Sequence, residues 1–436
     1  AGWRGTASTV SRGLALIAEG ALNDSDVEAL ADRLGVGARH LRRLFRQHVG
    51  AAPVAVAQAQ RILFAKRLLS ETELPITDIA LAAGFGSVRR FNETMKRAYG
   101  QPPSRLRRAA RAEGGTSANS ADSADFARTS NSAVAVTLKL PFTKPYDWTS
   151  MLDFLARRAV PGVETVDSGR YRRTIAVDDA SGAVDVGLTE DGAHLEAHIC
   201  ISRIAALAGV VARLRRVFDV DAEIGAIGAH LCTDALLAPA IAARPGLRVP
   251  GAWSTFELAV RAILGQQVSV AGARTLAARV VERCGEPVEL PESARMGEVA
   301  RLFPSAERLA DADLSDIGMP GARARAISSM ARAVAEDASL LRPRATLEES
   351  VERLCALPGV GAWTAHYIAM RGLGEPDAFP SSDLGVLRSL ADADGRRPSP
   401  AEALERAEAW RPWRAYAVLH LWLGDDAPGA THRSAA

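Results

Sequence analysis

The spacing of apolar positions along the chain changes twice, and a stretch with no pattern lies between the first two regimes. From residue 1 to about 112 the spacing is helical, and it repeats. Val27-Glu-Ala-Leu-Ala-Asp-Arg-Leu-Gly-Val is matched by Ile76-Thr-Asp-Ile-Ala-Leu-Ala-Ala-Gly-Phe. Each run leads into a basic helix ending in Gly and Pro, at Gly50 with Pro53 and at Gly100 with Pro103. The offset is 49 between Gly35 and Gly84 and 50 between Gly50 and Gly100, so the second copy carries one extra residue in its turn. A short helix, a glycine turn and a second helix make a helix-turn-helix, and two copies predict a paired module over 1–112.

Residues 113–133 are rich in Ser, Ala, Gly, Asn and Asp. They can bury too little apolar surface to offset chain entropy, so a flexible linker between two independently folding halves is expected. From 134 to 246 a period of two appears, at 134–140, 171–177, 183–188 and 194–201, with helical spacing at 148–159 and 204–218. That mixture predicts an α+β domain with an antiparallel sheet. From 247 to 426 the pattern is almost wholly helical, over 253–265 and 268–284, with breaks at 286–291 and 319–321. A disordered tail is expected over 427–436. The fold class is therefore multidomain, mainly α with one α+β domain.

One stretch of the last segment organises the rest. In Leu357-Pro-Gly-Val-Gly-Ala-Trp-Thr-Ala, Gly359 and Gly361 lie between two helical patterns: Val351, Leu354 and Leu357 before them, and Ala365, Ile368 and Ala369 after. Glycine lets the backbone turn tightly and leaves its amides uncovered. Those amides and the N-terminus of the following helix form an anion site. Asp383 lies 20 positions beyond Trp363.

Bulk composition narrows the reading only a little. A chain of 436 residues suggests two to four domains, and its 48% hydrophobic content supports real cores without any run long enough to span a membrane. A net charge of +2 does not announce nucleic acid, so the distribution of charge matters more. Arg39, Arg42, Arg43 and Arg46, then Arg89, Arg90, Asn92 and Lys96, fall on the second helices of the two repeats. Such side chains suit phosphates and guanine edges. One basic helix is as readily a solvated face; two copies a long helix apart favour DNA. Cys200, Cys232, Cys284 and Cys355 form no Cys-x-x-Cys pair, so zinc, iron–sulfur and redox motifs are unsupported. Scattered reduced cysteines and the lack of a secretory signal fit a cytoplasmic protein.

The run 357–372, followed by Phe379-Pro-Ser-Ser-Asp-Leu, resembles the helix-hairpin-helix DNA glycosylases, and among them the 3-methyladenine DNA glycosylase II (AlkA) family. Arg261-Ala-Ile-Leu-Gly-Gln-Gln-Val-Ser and, in the α+β segment, Tyr146-Asp-Trp, Phe154-Leu-Ala-Arg-Arg-Ala-Val and Gly162-Val-Glu-Thr-Val resemble the same family. Residues 1–112 resemble the paired module of AraC-type activators. Gly84-Phe-Gly-Ser and Phe91-Asn-Glu-Thr are particularly similar to the Ada-type methylation regulators. In those regulators a four-cysteine zinc domain precedes the module. The resemblance implies that Ala1 lies just past such a domain, in keeping with a chain that begins without methionine, and methyl transfer is not expected of the residues present.

The resemblance implies an enzyme that extrudes a damaged nucleotide and cleaves its N-glycosidic bond, with Asp383 as the catalytic carboxylate. A carboxylate about 4 Å from oxocarbenium charge contributes on the order of 4 kcal/mol at an effective dielectric of 20. Orienting or deprotonating the attacking water is the other role open to it. Taken alone, Ser381-Ser-Asp-Leu is also a helix-capping sequence. Trp363, Tyr367 and Trp422 match pocket aromatics of the family, with Phe154 as a further wall, and electron-poor alkylated purines stack on such rings. Trp410, Trp413 and Tyr416 are read as core. Gly359, Gly361 and Thr364 are expected to hold a phosphate. The carbonyls of Cys355, Leu357 and Val360 are expected to hold a sodium or potassium ion, with no other cofactor required.

Gln267 replaces the wedge leucine of the best-known member. Leu384-Gly385 replaces a tyrosine–leucine pair, and Ser382 an adjacent aspartate. Trp363 occupies the place where strand-cleaving relatives carry a Schiff-base lysine, which implies a monofunctional enzyme. The expected partners are duplex DNA, an operator and RNA polymerase, bound by a monomer at the bacterial nucleoid. The alternatives are a regulator whose glycosylase-like half only recognises damage, and an oxidised-purine glycosylase.

Overall fold

The computed structural model describes residues 6–18, 20–23, 26–113 and 133–425. Residues 114–132 of the expected linker, and the expected tail, lie outside the described residues. The chain divides into two compact units, each built from separated segments: Ala1–Pro141 with Leu155–Arg215 and Arg274–Pro304, and Phe142–Phe154 with Arg216–Ala273 and Ser305–Ala436. This division cuts across a boundary at 246, because 216–246 packs with the helical unit and 274–304 with the sheet.

In the first unit the repeat is realised as helices Val27–Arg33 and Ala38–Val49, then Ile76–Ala82 and Val88–Tyr99. The turns cover 34–37 and 83–87, so the extra residue sits in the second turn. Gly35 and Gly84 take φ of 66° and 73°, the left-handed region where a side chain is strained. Leu30, Leu34, Leu41, Leu44 and Phe45 close the core of the first repeat, and Phe91 and Met95 are buried in the second. Helix Pro53–Glu71 joins the copies.

The sheet has five antiparallel strands: β1 (Val134–Pro141), β2 (Glu164–Asp167), β3 (Arg170–Val177), β4 (Ala180–Leu188) and β5 (His194–Ile201), in the order β1-β5-β4-β3-β2. The short β2 was not anticipated, because four residues are too few to show an alternating pattern. Segment 274–304 is bound to the sheet through Gly162, whose carbonyl accepts from Ala300 and Arg301, both at 2.9 Å. The two expected halves also touch within this unit. Lys139 N donates to Glu71 Oε2 at 3.3 Å, and Arg67 donates to the Lys139 carbonyl, so helix Pro53–Glu71 meets edge strand β1.

The second unit is helical, and its core gathers Leu231, Ile241, Phe379, Trp410 and Tyr416. Trp410 and Tyr416 are 1% and 7% exposed, as expected of core aromatics, and Trp413 packs half-buried against them. Each buried polar tip has a partner: Trp410 Nε1 donates to Asp234 at 2.8 Å and the Tyr416 hydroxyl to Asp219 at 2.8 Å. Burial pushes the Asp219 carboxyl up to about 7. Among the described residues no helix is long and apolar enough to cross a membrane.

Candidate active site

Two helices frame the glycine hairpin. Helix Leu347–Cys355 starts on Thr346, whose hydroxyl accepts from Glu349 N at 3.1 Å, and helix Ala362–Arg371 starts on Gly361. The two glycines serve different ends. Gly359 has φ of 76°, and a Cβ there would lie 2.6 Å from the Cβ of Ala326. Gly361 is extended and open, with nothing within 4 Å of a Cβ, which leaves the backbone uncovered. The amides of Ala362, Trp363 and Thr364 in the first helical turn have no intrahelical acceptor, which is the arrangement an anion needs. Gly359→Ala should destabilise the protein by about 1–3 kcal/mol, through overpacking and left-handed strain together. Denaturant unfolding measures that loss, and a fluorescence-anisotropy titration should show weaker duplex binding alongside it.

Thr364 does not present a phosphate-binding hydroxyl. It is 2% exposed, and its Oγ1 accepts from Gln266 Nε2 at 3.1 Å. Its hydroxyl is thus engaged inside the protein, and its first-turn amide is the group left without an intrahelical acceptor. Of the expected cation ligands, Leu357 already accepts at its carbonyl from Val360 N at 3.1 Å; a carbonyl oxygen has a second lone pair, so the turn remains compatible with a cation. Among the described residues no cluster of His, Cys, Asp or Glu side chains forms a metal site.

Asp383 is held from four directions. It is the N-cap of helix Leu384–Ser389, and its Oδ1 accepts from Gly385 N at 2.9 Å and Val386 N at 3.1 Å. The capping reading therefore holds, alongside a second set of bonds. Trp422 Nε1 donates to the same Oδ1 at 2.9 Å, and Trp363 Nε1 donates to Oδ2 at 2.8 Å. Oδ1 thus serves three donors and Oδ2 one, leaving Oδ2 the oxygen with lone-pair capacity to spare. A Cβ at Gly385 would sit 3.0 Å from Trp422 Cδ1 and 3.2 Å from Asp383 Oδ1, so the lack of a side chain there lets the indole reach the acid.

Aromatic rings extend away from this carboxylate. Trp363 stacks on Tyr367 at 5.3 Å and 10°, Tyr367 meets Trp422 at 6.4 Å and 46°, and Trp422 stacks on Phe154 at 6.4 Å and 17°. Trp363, Tyr367 and Trp422 are half-buried and keep accessible surface. Phe154 is only 5% exposed, so it backs Trp422 rather than offering an open face. Arg371 was missed by the sequence reading. Its guanidinium lies 4.7 Å from the Phe154 ring centre and donates to the Tyr367 hydroxyl at 2.6 Å and the Pro250 carbonyl at 2.8 Å. The signal was present, since 363, 367 and 371 fall on one helix face.

Gln267, expected as the wedge, is exposed, with φ of 56°, shortly after helix Thr255–Leu264 and the turn at Gly265. In the other unit Arg39, Arg43, Arg46, Arg90, Asn92 and Lys96 are exposed on the second helices of the repeats. Two of the expected DNA contacts are engaged within the module: Arg42 pairs with Glu28 at 2.7 Å, and Arg89 with Glu93 at 3.0 Å. Both pairs are surface-exposed and of little energetic weight, so phosphate can displace them.

Comparison with known proteins agrees along the chain. Residues 30–109 match a helix-turn-helix domain family, 137–254 the AlkA N-terminal domain, and 260–415 the HhH-GPD superfamily of base excision DNA repair proteins. A probable bifunctional transcriptional activator/DNA repair enzyme AlkA of Mycobacterium tuberculosis is 40% identical over 421 residues, covering 96% of this chain and 81% of that protein. DNA-3-methyladenine glycosylase 2 of Escherichia coli is 37% identical over 296 residues, covering 65% of this chain and 95% of its own. The structure of a 3-methyladenine DNA glycosylase from Archaeoglobus fulgidus superposes with a TM-score of 0.59 at 24% identity, over 67% of this chain and 99% of that one, and shows the shared fold.

Proposed function

The chain belongs to the AlkA family of DNA repair glycosylases joined to an AraC-type regulatory module, and we propose on that premise how its residues divide the work. It hydrolyses the N-glycosidic bond of alkylated purines of the 3-methyladenine type in DNA, after flipping the nucleotide out of the stack. The observation that carries the reading is the convergence of two indole N–H groups on Asp383, which fixes the carboxylate beside an aromatic wall.

Catalysis follows from that arrangement. The electron-poor ring of an alkylated purine lies against Trp363 and Trp422 and departs without a protonating acid. Oδ2 of Asp383 faces the positive charge that grows on the sugar as the base leaves with the bonding electrons, its orientation set in advance by four N–H donors, and water then adds to the anomeric carbon and releases its proton to give the abasic sugar. Gln267 fills the space the base vacates. The hairpin amides near Gly359 and Gly361 hold a phosphate, and the carbonyls of Cys355, Leu357 and Val360 would hold a sodium or potassium ion, which would offset its charge.

The indole at Trp363 cannot form a Schiff base, so the product is an abasic site with the strand intact. The exposed basic helices hold an operator, and the bound module contacts RNA polymerase. The chain works as a monomer in the bacterial cytoplasm. Incubation with methylated duplex should release free 3-methyladenine and leave the strand uncut until alkali is added. Intact DNA with no released base would return the chain to a purely regulatory role.

A further inference from the structure

Gln266 precedes the wedge residue and has no role in the chemistry above, yet it bridges three elements. Its Nε2 donates to the Gly359 carbonyl at 2.8 Å and to Thr364 Oγ1 at 3.1 Å, 93 and 98 residues away. Its main-chain carbonyl accepts from Arg323 Nη2 at 2.6 Å, on helix Gly321–Glu336. The Gly359 carbonyl can only accept, so it fixes which end of the amide faces the hairpin. Gly359 in turn lies against Ala326 of that same helix. The next residue, Gln267, stands exposed in a left-handed conformation that a side chain holds only when its neighbours enforce it.

We infer that Gln266 is a positioning residue that ties the wedge loop to the glycine hairpin, so that insertion into the stack and phosphate capture act as one rigid device. This rests on the glycosylase reading and on Gln267 as the wedge. A strut of this kind matters because the plug and the phosphate grip must meet the duplex at a fixed separation. A loop free to swing would lose that preorganisation on every encounter.

The test is single-turnover excision from methylated duplex by the full chain, comparing wild type with Gln266→Ala, Gln266→Glu, Gln267→Ala and the double variant Gln266→Ala/Gln267→Ala. Glu keeps the volume of Gln but turns an acceptor toward the Gly359 carbonyl, so it answers for the strut should the Ala variant fold poorly. Both Gln266 variants are expected to excise about 10–100-fold more slowly. They should also show a smaller fluorescence rise from 2-aminopurine placed beside an abasic analogue. The double variant should be no slower than Gln266→Ala alone, because an untethered wedge is already lost. Gln266 variants that excise at the wild-type rate, or losses that multiply in the double variant, overturn the strut. A Gln267→Ala protein indistinguishable from wild type overturns it too, by removing the wedge. Wild-type protein that releases no base would instead overturn the glycosylase reading beneath it.

Discussion

Asp383→Asn should slow base release from alkylated duplex by on the order of 10³-fold. A carboxylate about 4 Å from oxocarbenium charge supplies on the order of 4 kcal/mol, and each 1.36 kcal/mol is a factor of ten in rate. Asparagine is as good an N-cap as aspartate, so its carbonyl oxygen can keep the bonds to Gly385 and Val386 and the protein should still fold. The amide nitrogen then falls where Oδ2 stood, donor against the Trp363 indole donor. Charge and geometry are thus lost at one atom, while the hairpin that grips the backbone is untouched. Single-turnover kinetics on methylated duplex should show the fall, and a binding titration should show affinity within a few-fold of wild type. Excision by Asp383→Asn at the wild-type rate excludes the mechanism.

Trp422 carries the second-largest expected effect, because it has two separable jobs. Its N–H is one of the four donors on Asp383, and its ring is the face backed by Phe154. Trp422→Phe keeps a ring and removes the donor. A hydrogen bond to a charged group contributes about 1.5–3 kcal/mol, so excision should fall roughly 10–100-fold. That fall should be similar for a cationic and a neutral purine, since the defect lies in the acid. Trp422→Ala removes the stack as well, a further loss of about 0.5–2 kcal/mol that should fall chiefly on the cationic base. Parallel single-turnover rates on 3-methyladenine and on a neutral damaged purine separate the two jobs. Equal selectivity in the Phe and Ala variants would mean that the ring does not read the charge of the base.

The glycine turn of the hairpin was legible from residue types; its acid was picked out only by the resemblance to a family, since Ser381-Ser-Asp-Leu by itself reads as a helix cap. Gly359 takes a backbone that favours glycine, and the first turn of a helix always leaves free amides, so Pro-Gly-Val-Gly ahead of a helical pattern already marks a tight turn with uncovered amides. The paired helix-turn-helix was legible for the same reason. Its glycine turns and apolar spacing are local, and even the extra residue in the second turn could be counted from the offsets. Alternation gave away four of the five strands for the same local reason.

Folding decided what depends on distance between remote segments. No spacing rule relates Trp422 to Asp383, 39 residues apart, or Gln266 to Gly359, 93 apart; those bonds exist because separate helices pack into one core. Packing within the helical unit also buried Thr364 and placed Phe154 behind Trp422, and packing within the other unit drew 274–304 to the sheet. Local chemistry chooses which conformations each segment can adopt, and so it marks turns, helices and the capping place of Asp383. Which lone pair of that acid stays open is set by donors arriving from elsewhere in the chain, and burial of apolar surface, a property of the assembled unit, determines where they arrive.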